Sequence, residues 1–583
     1  MKTLKIASRF AAMVLTGTLL SACTAVQTGQ TAAESAAATP AYYPAQGAVS
    51  AADPRAQAAG EAMLAQGGSA SDAAIATMLA LSVVEPQSSG IGGGGFMIRG
   101  TSGGEVISFD GRETAPSGAV PEWFMGADGE LLGYRESVLS GLSIGVPGNI
   151  AMAAKVHGQH GKLAWAALFE PAIKLADEGF VMNRRLNASL DGSLERAGRT
   201  PEARALFFDA QGNPKPVGTL IRNPAMAKTL RAIAAKGAEA FYGADAAEKL
   251  AQAVKADTPR SGAMTREDVM GYESKSRDAV CGMYREYRIC GMGPPSSGGV
   301  AVLQILGQLE RFDLSALGPD SAVTWHLFLE SQRLAYADRE LYLADSDFVS
   351  VPVNGLLNAD YIAGRSALIS ADKAMDSAAP GTPPGFTAAR ADGDEPAENG
   401  TSHLAAIDSA GTMVSYTSTV EGPFGSGLFH GGFYLNNELT DFSRSPVADG
   451  KPVANRVEGG KRPRSSMAPS VIYDPQGRPM AAIGAAGGST IPVQTARAII
   501  GIIDFGMELE YALGLPLLMA YGDNVLIEEG TWFETRVDEF KALGHTKIGA
   551  RSPPLKAGGI VWDDGKWVAA RDPRLNGMLE TTP

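Results

Sequence analysis

Asn399-Gly400-Thr401-Ser402-His403 sets a threonine at the junction of a connector-like stretch and a strongly patterned β segment. A chain cut before Thr401 would give that residue a free α-amine beside its own hydroxyl, and the two together make a base and a nucleophile. Upstream, residues 371–400 are rich in Pro, Gly, Ala and acids and show no apolar period of helix or strand, the composition of an exposed connector. Downstream, residues 402–407 and 412–420 are β-type runs around Asp408-Ser409-Ala410-Gly411. A three-residue hairpin loop commonly needs a left-handed last residue, which assigns the loop to Ser409, Ala410 and Gly411 and pairs Asp408 with Thr412. The same register sets Thr401 opposite Thr419, so a second hydroxyl lies beside the candidate nucleophile. Ordinary strand threonines look the same in isolation, so the assignment needs the rest of the chain.

The 583 residues are 45% hydrophobic and 19% charged, a globular composition, and the 70 glycines point to many tight turns and close backbone approaches. Lys2, Lys5 and Arg9 precede an apolar run and then Leu20-Ser21-Ala22-Cys23, the pattern of a secretion signal with a lipoprotein-type cleavage box. Cys23 is then expected to be the lipidated first residue of the mature chain. Thr24 rather than Asp after it resembles sorting to the outer membrane, which places the protein in the periplasm. Removing the three positive charges takes the formal net charge from -13 to -16, which argues against nucleic-acid binding. No other stretch has 18 uninterrupted apolar residues.

Cys281 and Cys290 flank GMYREYRI. A two-residue loop at Arg285-Glu286 pairs Tyr284 with Tyr287 and, counting outward, Cys281 with Cys290 at a position close enough for a disulfide. Export permits that bond. None of the six histidines clusters with the cysteines at ligand spacing, so no metal site is expected. The run Ser88-Ser89-Gly90 to Gly95-Phe96 follows a helical pattern and opens a strand, the reverse of a phosphate-binding loop, so no nucleotide cofactor is expected either.

The elements around these residues mix without βαβ alternation. Residues 54–84 read as two helices broken at Gly67-Gly68, followed by strands in FMIRG and EVISFDGR. Segments 148–180 and 223–255 are alanine-rich and helical, and helices are expected over 300–309, 321–337 and 493–503. The fold class is α+β.

Nine motifs in order then give the chain a resemblance to the γ-glutamyltranspeptidases, or glutathione hydrolases, of the N-terminal nucleophile hydrolase superfamily. They are GGSASDAAIATMLALSVVEPQSSGIGGGGFMI, FDGRETAP, GLSIGVPGN, PAIKLADEGF, GPPSSGGVAVLQIL, NGTSHLAAID, LNNELTDFS, KRPRSSMAPSVI and GAAGGST. The resemblance implies a four-layer αββα sandwich and a precursor that cuts itself into two associated subunits. Residues 1–22 would be the signal, 23–52 a flexible tether, 53–400 the large subunit with its linker 371–400, and 401–583 the small catalytic subunit.

The chemistry then runs through Thr401. Its hydroxyl attacks the Gly400 carbonyl, where glycine tolerates strained backbone, and the ester formed is hydrolysed. The freed α-amine has a reference pKa near 8 against about 10.4 for lysine, so it can accept a proton at working pH. Thr401 then attacks a γ-glutamyl amide and passes the acyl group to water or to an amino acid or peptide amine, with glutathione the default donor by resemblance. Matching the family's motifs, Thr419 orients the nucleophile, Gly487 and Gly488 form the oxyanion hole, Arg112, Ser465 and Ser466 hold the substrate α-carboxylate, and Glu438 and Asp441 hold its α-ammonium. Glu421 stands where the family usually has asparagine, putting a third carboxylate near one ammonium. The 441–465 loop is short for a lid, and LPLLMAYGDN departs from the family's pattern. A cephalosporin (glutaryl) acylase on the same scaffold is the alternative, and a non-catalytic surface lipoprotein a more distant one.

Overall fold

The computed structural model describes residues 46–386, 390–391, 393, 400–552 and 555–582. The signal and Cys23 lie outside them. Strand β1 (Ala48–Ala51) is followed by helices α1 (Pro54–Ala65) and α2 (Ala70–Val84), then by strands β2 (Gly94–Gly100), β3 (Val106–Gly111), β4 (Lys275–Asp278), β5 (Val280–Tyr284) and β6 (Tyr287–Gly291). Helices α3 (Gly298–Leu309) and α4 (Ala322–Tyr342) precede strands β7 (Gly400–Ile407), β8 (Met413–Glu421), β9 (Ser470–Tyr473) and β10 (Pro479–Ala486). Helix α5 (Ile491–Ile503) and strands β11 (Lys556–Asp563) and β12 (Lys566–Arg571) follow. Two six-stranded sheets result, in the orders β1-β7-β8-β2-β3-β4 and β12-β11-β10-β9-β6-β5.

The alternation along β7 shows how the layers stack. Leu404 and Ala406 join the core that contains α2, whereas Ala405 and Ile407 join the core of the second sheet with α3, α4 and α5. β7 and β8 are buried at every position, so even their polar residues, among them Ser402, Ser415 and Thr417, lie inside. The architecture is the four-layer αββα sandwich of the α+β class. Helix α2 is capped by a reciprocal pair, Ser69 with Asp72, and all fifteen of its residues are buried. Among the described residues no helix is long and apolar enough to cross a membrane.

One sequence expectation changes and one gains detail. Ala48–Ala51, which fell within the expected tether, pairs with Ile407 to Leu404 as the edge strand of the first sheet, because its small residues fit beside the buried β7. The first half of the linker is mostly exposed, as its composition suggests, but it is tied to the body at three points. Ala374 is buried with its N–H on the Leu543 carbonyl at 2.6 Å, Met375 N donates to Glu330 Oε2 at 2.6 Å, and Gly381 N donates to Asp338 Oδ1 at 2.8 Å. Small residues let this backbone approach the carboxylates of α4. The cysteine hairpin forms as expected: Arg285 and Glu286 take φ of 47° and 71°, Cys281 sits opposite Cys290, and the two are disulfide-bonded with Cα atoms 4.1 Å apart.

Candidate active site

The β7–β8 hairpin turns where the sequence places it. Gly411 has φ of 74°, Asp408 N donates to the Thr412 carbonyl at 3.1 Å, and the register runs from Met413 opposite Ile407 to Ser418 opposite Ser402. Beyond that pair it slips by one, so that Glu421 lies opposite Gly400. This bulge is where Thr401 and Thr419 meet. Thr401 Oγ1 lies 3.2 Å from Thr419 Oγ1 and also donates to its neighbour, the Gly400 carbonyl oxygen. Thr419 Oγ1 donates to the same oxygen at 2.6 Å and accepts from Glu421 N at 2.8 Å. Two hydroxyls therefore converge on the carbonyl that precedes Thr401.

Gly400 is required for space rather than for a strained φ. A β-carbon there would lie 2.3 Å from the Glu421 carbonyl oxygen and 2.8 Å from the Gly422 carbonyl carbon. The strain sits across the ladder, at Glu421, whose φ is 72°. Asparagine takes the left-handed region more readily than glutamate, a backbone reason for the residue the family usually carries there.

The odd residues of β7 face the second sheet. A β-carbon on Gly484 would meet the His403 ring, and Ser415, opposite Ala405, donates from its hydroxyl to the Ile483 carbonyl at 3.0 Å. From Ile483 to Gly484, β10 thus runs toward the Thr401 end of β7, and Gly487 and Gly488 follow at the end of that strand. Both take positive φ, 129° and 59°, as an irregular turn into α5 requires.

Arg112 is buried, and its guanidinium gathers the predicted clamp. Nη1 donates to Glu438, Nη2 to Asp441 Oδ2 at 2.5 Å and to the Arg464 carbonyl at 2.8 Å, and Nε to the Pro463 carbonyl at 3.2 Å. The expected anion-binding cation and the two expected ammonium-binding carboxylates are thus paired with each other. The Pro463 and Arg464 contacts bring the RSSM segment alongside. There Ser466 Oγ accepts from Arg339 Nη2 at 2.9 Å, and Ser465 Oγ accepts from Met467 N at 3.1 Å. Glu421 is set apart from this pairing: its carboxylate accepts from Asn437 Nδ2, and its charge, followed by burial, pushes the Tyr134 phenol well up.

Several participants were not singled out from sequence. Glu113 beside Arg112 is fully buried, and burial, only partly offset by Arg112, raises its carboxyl to about 8. The RE doublet in FDGRE could have flagged it. Next to Thr401 in the chain, Ser402 Oγ donates to Glu85 Oε2 at 2.6 Å. Lys556 Nζ lies 3.0 Å from Ser402 Oγ and 3.3 Å from Glu85, and Arg185 also donates to Glu85. Burial lowers the Lys556 amine to about 7, and its residue lies 154 positions from Ser402, so no local pattern marks it. Among the described residues His326, Glu330 and His545 form a group of metal-ligand type. However, His326 Nδ1 lies 2.8 Å from His545 Nε2, and Glu330 is engaged by Arg333 at 2.8 Å and Met375 N at 2.6 Å.

A family model described as gamma-glutamyltranspeptidase matches residues 56–581. The chain belongs to the gamma-glutamyltranspeptidase family. Among its relatives is a glutathione hydrolase proenzyme of Bacillus subtilis (strain 168), 36% identical over 479 residues, which cover 81% of this chain and 80% of that one. A glutathione hydrolase proenzyme of Escherichia coli (strain K12) is 33% identical over 541 residues, 91% of this chain and 90% of the relative. Of solved structures, cephalosporin acylase from Bacillus halodurans superposes with a TM-score of 0.79 at 27% identity, covering 94% of this chain and 98% of that one. The scaffold thus serves both of the enzyme classes weighed from sequence, and the clamp has to separate them.

Proposed function

We propose that this chain is a self-processing γ-glutamyltransferase and glutathione hydrolase with Thr401 as nucleophile. The observation that carries the reading is the convergence of the Thr401 and Thr419 hydroxyls on the Gly400 carbonyl. Thr401 Oγ1 adds to that carbon while Thr419 Oγ1–H supports the developing oxyanion. Collapse breaks the C–N bond to Thr401, the Oγ1 proton passing to the departing nitrogen, and leaves an ester on Oγ1 beside a free α-amine. Water hydrolyses it, giving a Gly400 carboxylate and restoring the Thr401 hydroxyl beside its free α-amine. In turnover that amine takes the Oγ1 proton as the hydroxyl attacks a γ-glutamyl amide, and the Gly487 and Gly488 backbone N–H groups are assigned to the oxyanion. Water or a second amine then releases the acyl group.

The paired clamp favours γ-glutamyl over glutaryl donors. A glutamyl group brings a carboxylate for Arg112 and an ammonium for Glu438 and Asp441, so its entry exchanges one set of buried ion pairs for another. A glutaryl group brings only the carboxylate and strands two buried carboxylates. Glutaryl-anilide turnover equal to or better than γ-glutamyl-anilide turnover would decide for the acylase. For self-processing, N-terminal sequencing of the smaller fragment is expected to read Thr-Ser-His-Leu, and Thr401→Ala to stay one uncut chain; an uncut wild type would sink the mechanism. The fragments are taken as 53–400 and 401–583. The signal and Cys23 support a lipid-anchored periplasmic protein at the outer membrane, tested by labelled palmitate incorporation that Cys23→Ala should abolish.

A further inference from the structure

A cleft of about 320 Å³ opens beside the end of β8, walled among others by Tyr134, Leu139, Ser193, Arg196 and Pro423. One glycine separates it from the bond before Thr401. A β-carbon on Gly400 would lie 2.8 Å from the Gly422 carbonyl carbon, and one on Gly422 would lie 2.1 Å from Arg196 Nη1. Arg196 is half-buried, has no ion pair among the described residues, and makes one side-chain hydrogen bond, Nη1 to the Pro423 carbonyl at 3.4 Å. Its neighbours are committed. Arg199 is held by Asp257 at 2.6 Å and by the Leu139 carbonyl at 2.6 Å, Arg135 pairs with Glu195, and the Glu421 carboxylate takes Asn437. A guanidinium has five donors in a fork that matches a carboxylate, so four of those on Arg196 have no hydrogen-bond partner among the described residues.

We infer that Arg196 receives the terminal carboxylate of the peptide amine on the leaving-group side of the donor. The inference rests on Thr401 as the acyl carrier. An extended chain advances about 3.3–3.6 Å per residue, so a dipeptide whose nitrogen is at the γ-carbonyl carries its carboxylate about 7 Å away, a span that one intervening glycine allows. In acylation the bond from the γ-carbonyl carbon to the peptide nitrogen breaks and the bond to Thr401 Oγ1 forms. The Oγ1 proton passes through the α-amine to the departing nitrogen. Transfer to a peptide acceptor is the reverse step, with its carboxylate at the same guanidinium. Arg196 thereby selects γ-glutamyl peptides with a free C-terminus.

The test compares processed wild type with Arg196→Gln and Arg196→Lys on glutathione and on glutathione carrying a C-terminal amide. The readout is the ratio of the two kcat/KM values within each enzyme, which a general loss of folding does not move. Wild type is expected to favour the free acid by about tenfold or more, the scale of one charge-assisted hydrogen bond. Arg196→Gln is expected to bring the ratio near one through KM, and Arg196→Lys to retain part of it. A wild-type ratio near one, or an unchanged ratio in Arg196→Gln, overturns the inference while leaving Thr401 in place. If wild type fails to turn over γ-glutamyl-anilide, the Thr401 reading falls and this one with it.

Discussion

Replacing Thr419 with valine keeps the shape of the side chain and removes one oxygen. That oxygen lies 2.6 Å from the Gly400 carbonyl oxygen, 3.2 Å from Thr401 Oγ1 and 2.8 Å from Glu421 N. Two costs follow, and they are separable. Losing a preorganised donor to a developing oxyanion slows a reaction by about 10²–10³-fold, so self-cleavage is expected to slow by that factor. Leaving the buried Glu421 N–H without a partner costs about 1–3 kcal/mol of stability, which a denaturant midpoint reads independently. The assay is gel electrophoresis of freshly purified precursor over time, fitted to a first-order rate, with circular dichroism to show that the variant is folded. Thr419→Ser keeps the hydroxyl and should still cut. A folded Thr419→Val precursor that cuts at the wild-type rate would refute the role given to this hydroxyl.

Gly400→Ala puts a β-carbon 2.3 Å from the Glu421 carbonyl oxygen, so the end of β7 must shift and cleavage should slow although no polar group is lost; wild-type cleavage kinetics would contradict this. Glu113 is held neutral by burial, its carboxyl raised from an ordinary 4.5 to about 8. Its contribution to stability is therefore complete below pH 4.5 and lost as pH rises through 8. Glu113→Gln, which does not titrate, should gain on wild type in melting temperature across that window, and parallel pH profiles would count against the assignment. Removing the disulfide by the double change Cys281→Ala and Cys290→Ala opens a short loop, the two cysteines being 9 positions apart. It should cost roughly 2–3 kcal/mol in chemical denaturation; an unchanged midpoint would show that the hairpin holds itself.

What could be read from the sequence is local. The Ser409-Ala410-Gly411 loop and the Arg285-Glu286 loop are set by turn chemistry within a few residues, and each fixes a register that brings Thr401 to Thr419 or Cys281 to Cys290. The bulge beyond Ser418 was not legible, because it depends on Glu421 in a left-handed conformation that its residue type does not advertise. Nor was the pairing of Arg112 with Glu438, since motif matching gives each residue a ligand but says nothing of what they do to each other across 326 positions. Residues 371–386 look like a connector by composition and are docked by backbone N–H groups, which composition does not report. Arg196 has no motif around it, and only the glycine between it and Gly400 gives it meaning.

The order of strands in the two sheets has a further consequence. The first sheet interleaves β1, β2, β3 and β4 with β7 and β8, and the second joins β5 and β6 to β9, β10, β11 and β12, so strands from both sides of the Gly400–Thr401 bond share both sheets. Cutting that bond releases neither piece. It does change the order of the reverse reaction: the precursor refolds as one chain at a rate independent of concentration, whereas two separated pieces must first collide. Unfolded mature protein therefore has a concentration-dependent path home that competes with aggregation, and its persistence becomes a matter of how slowly it unfolds rather than how readily it refolds.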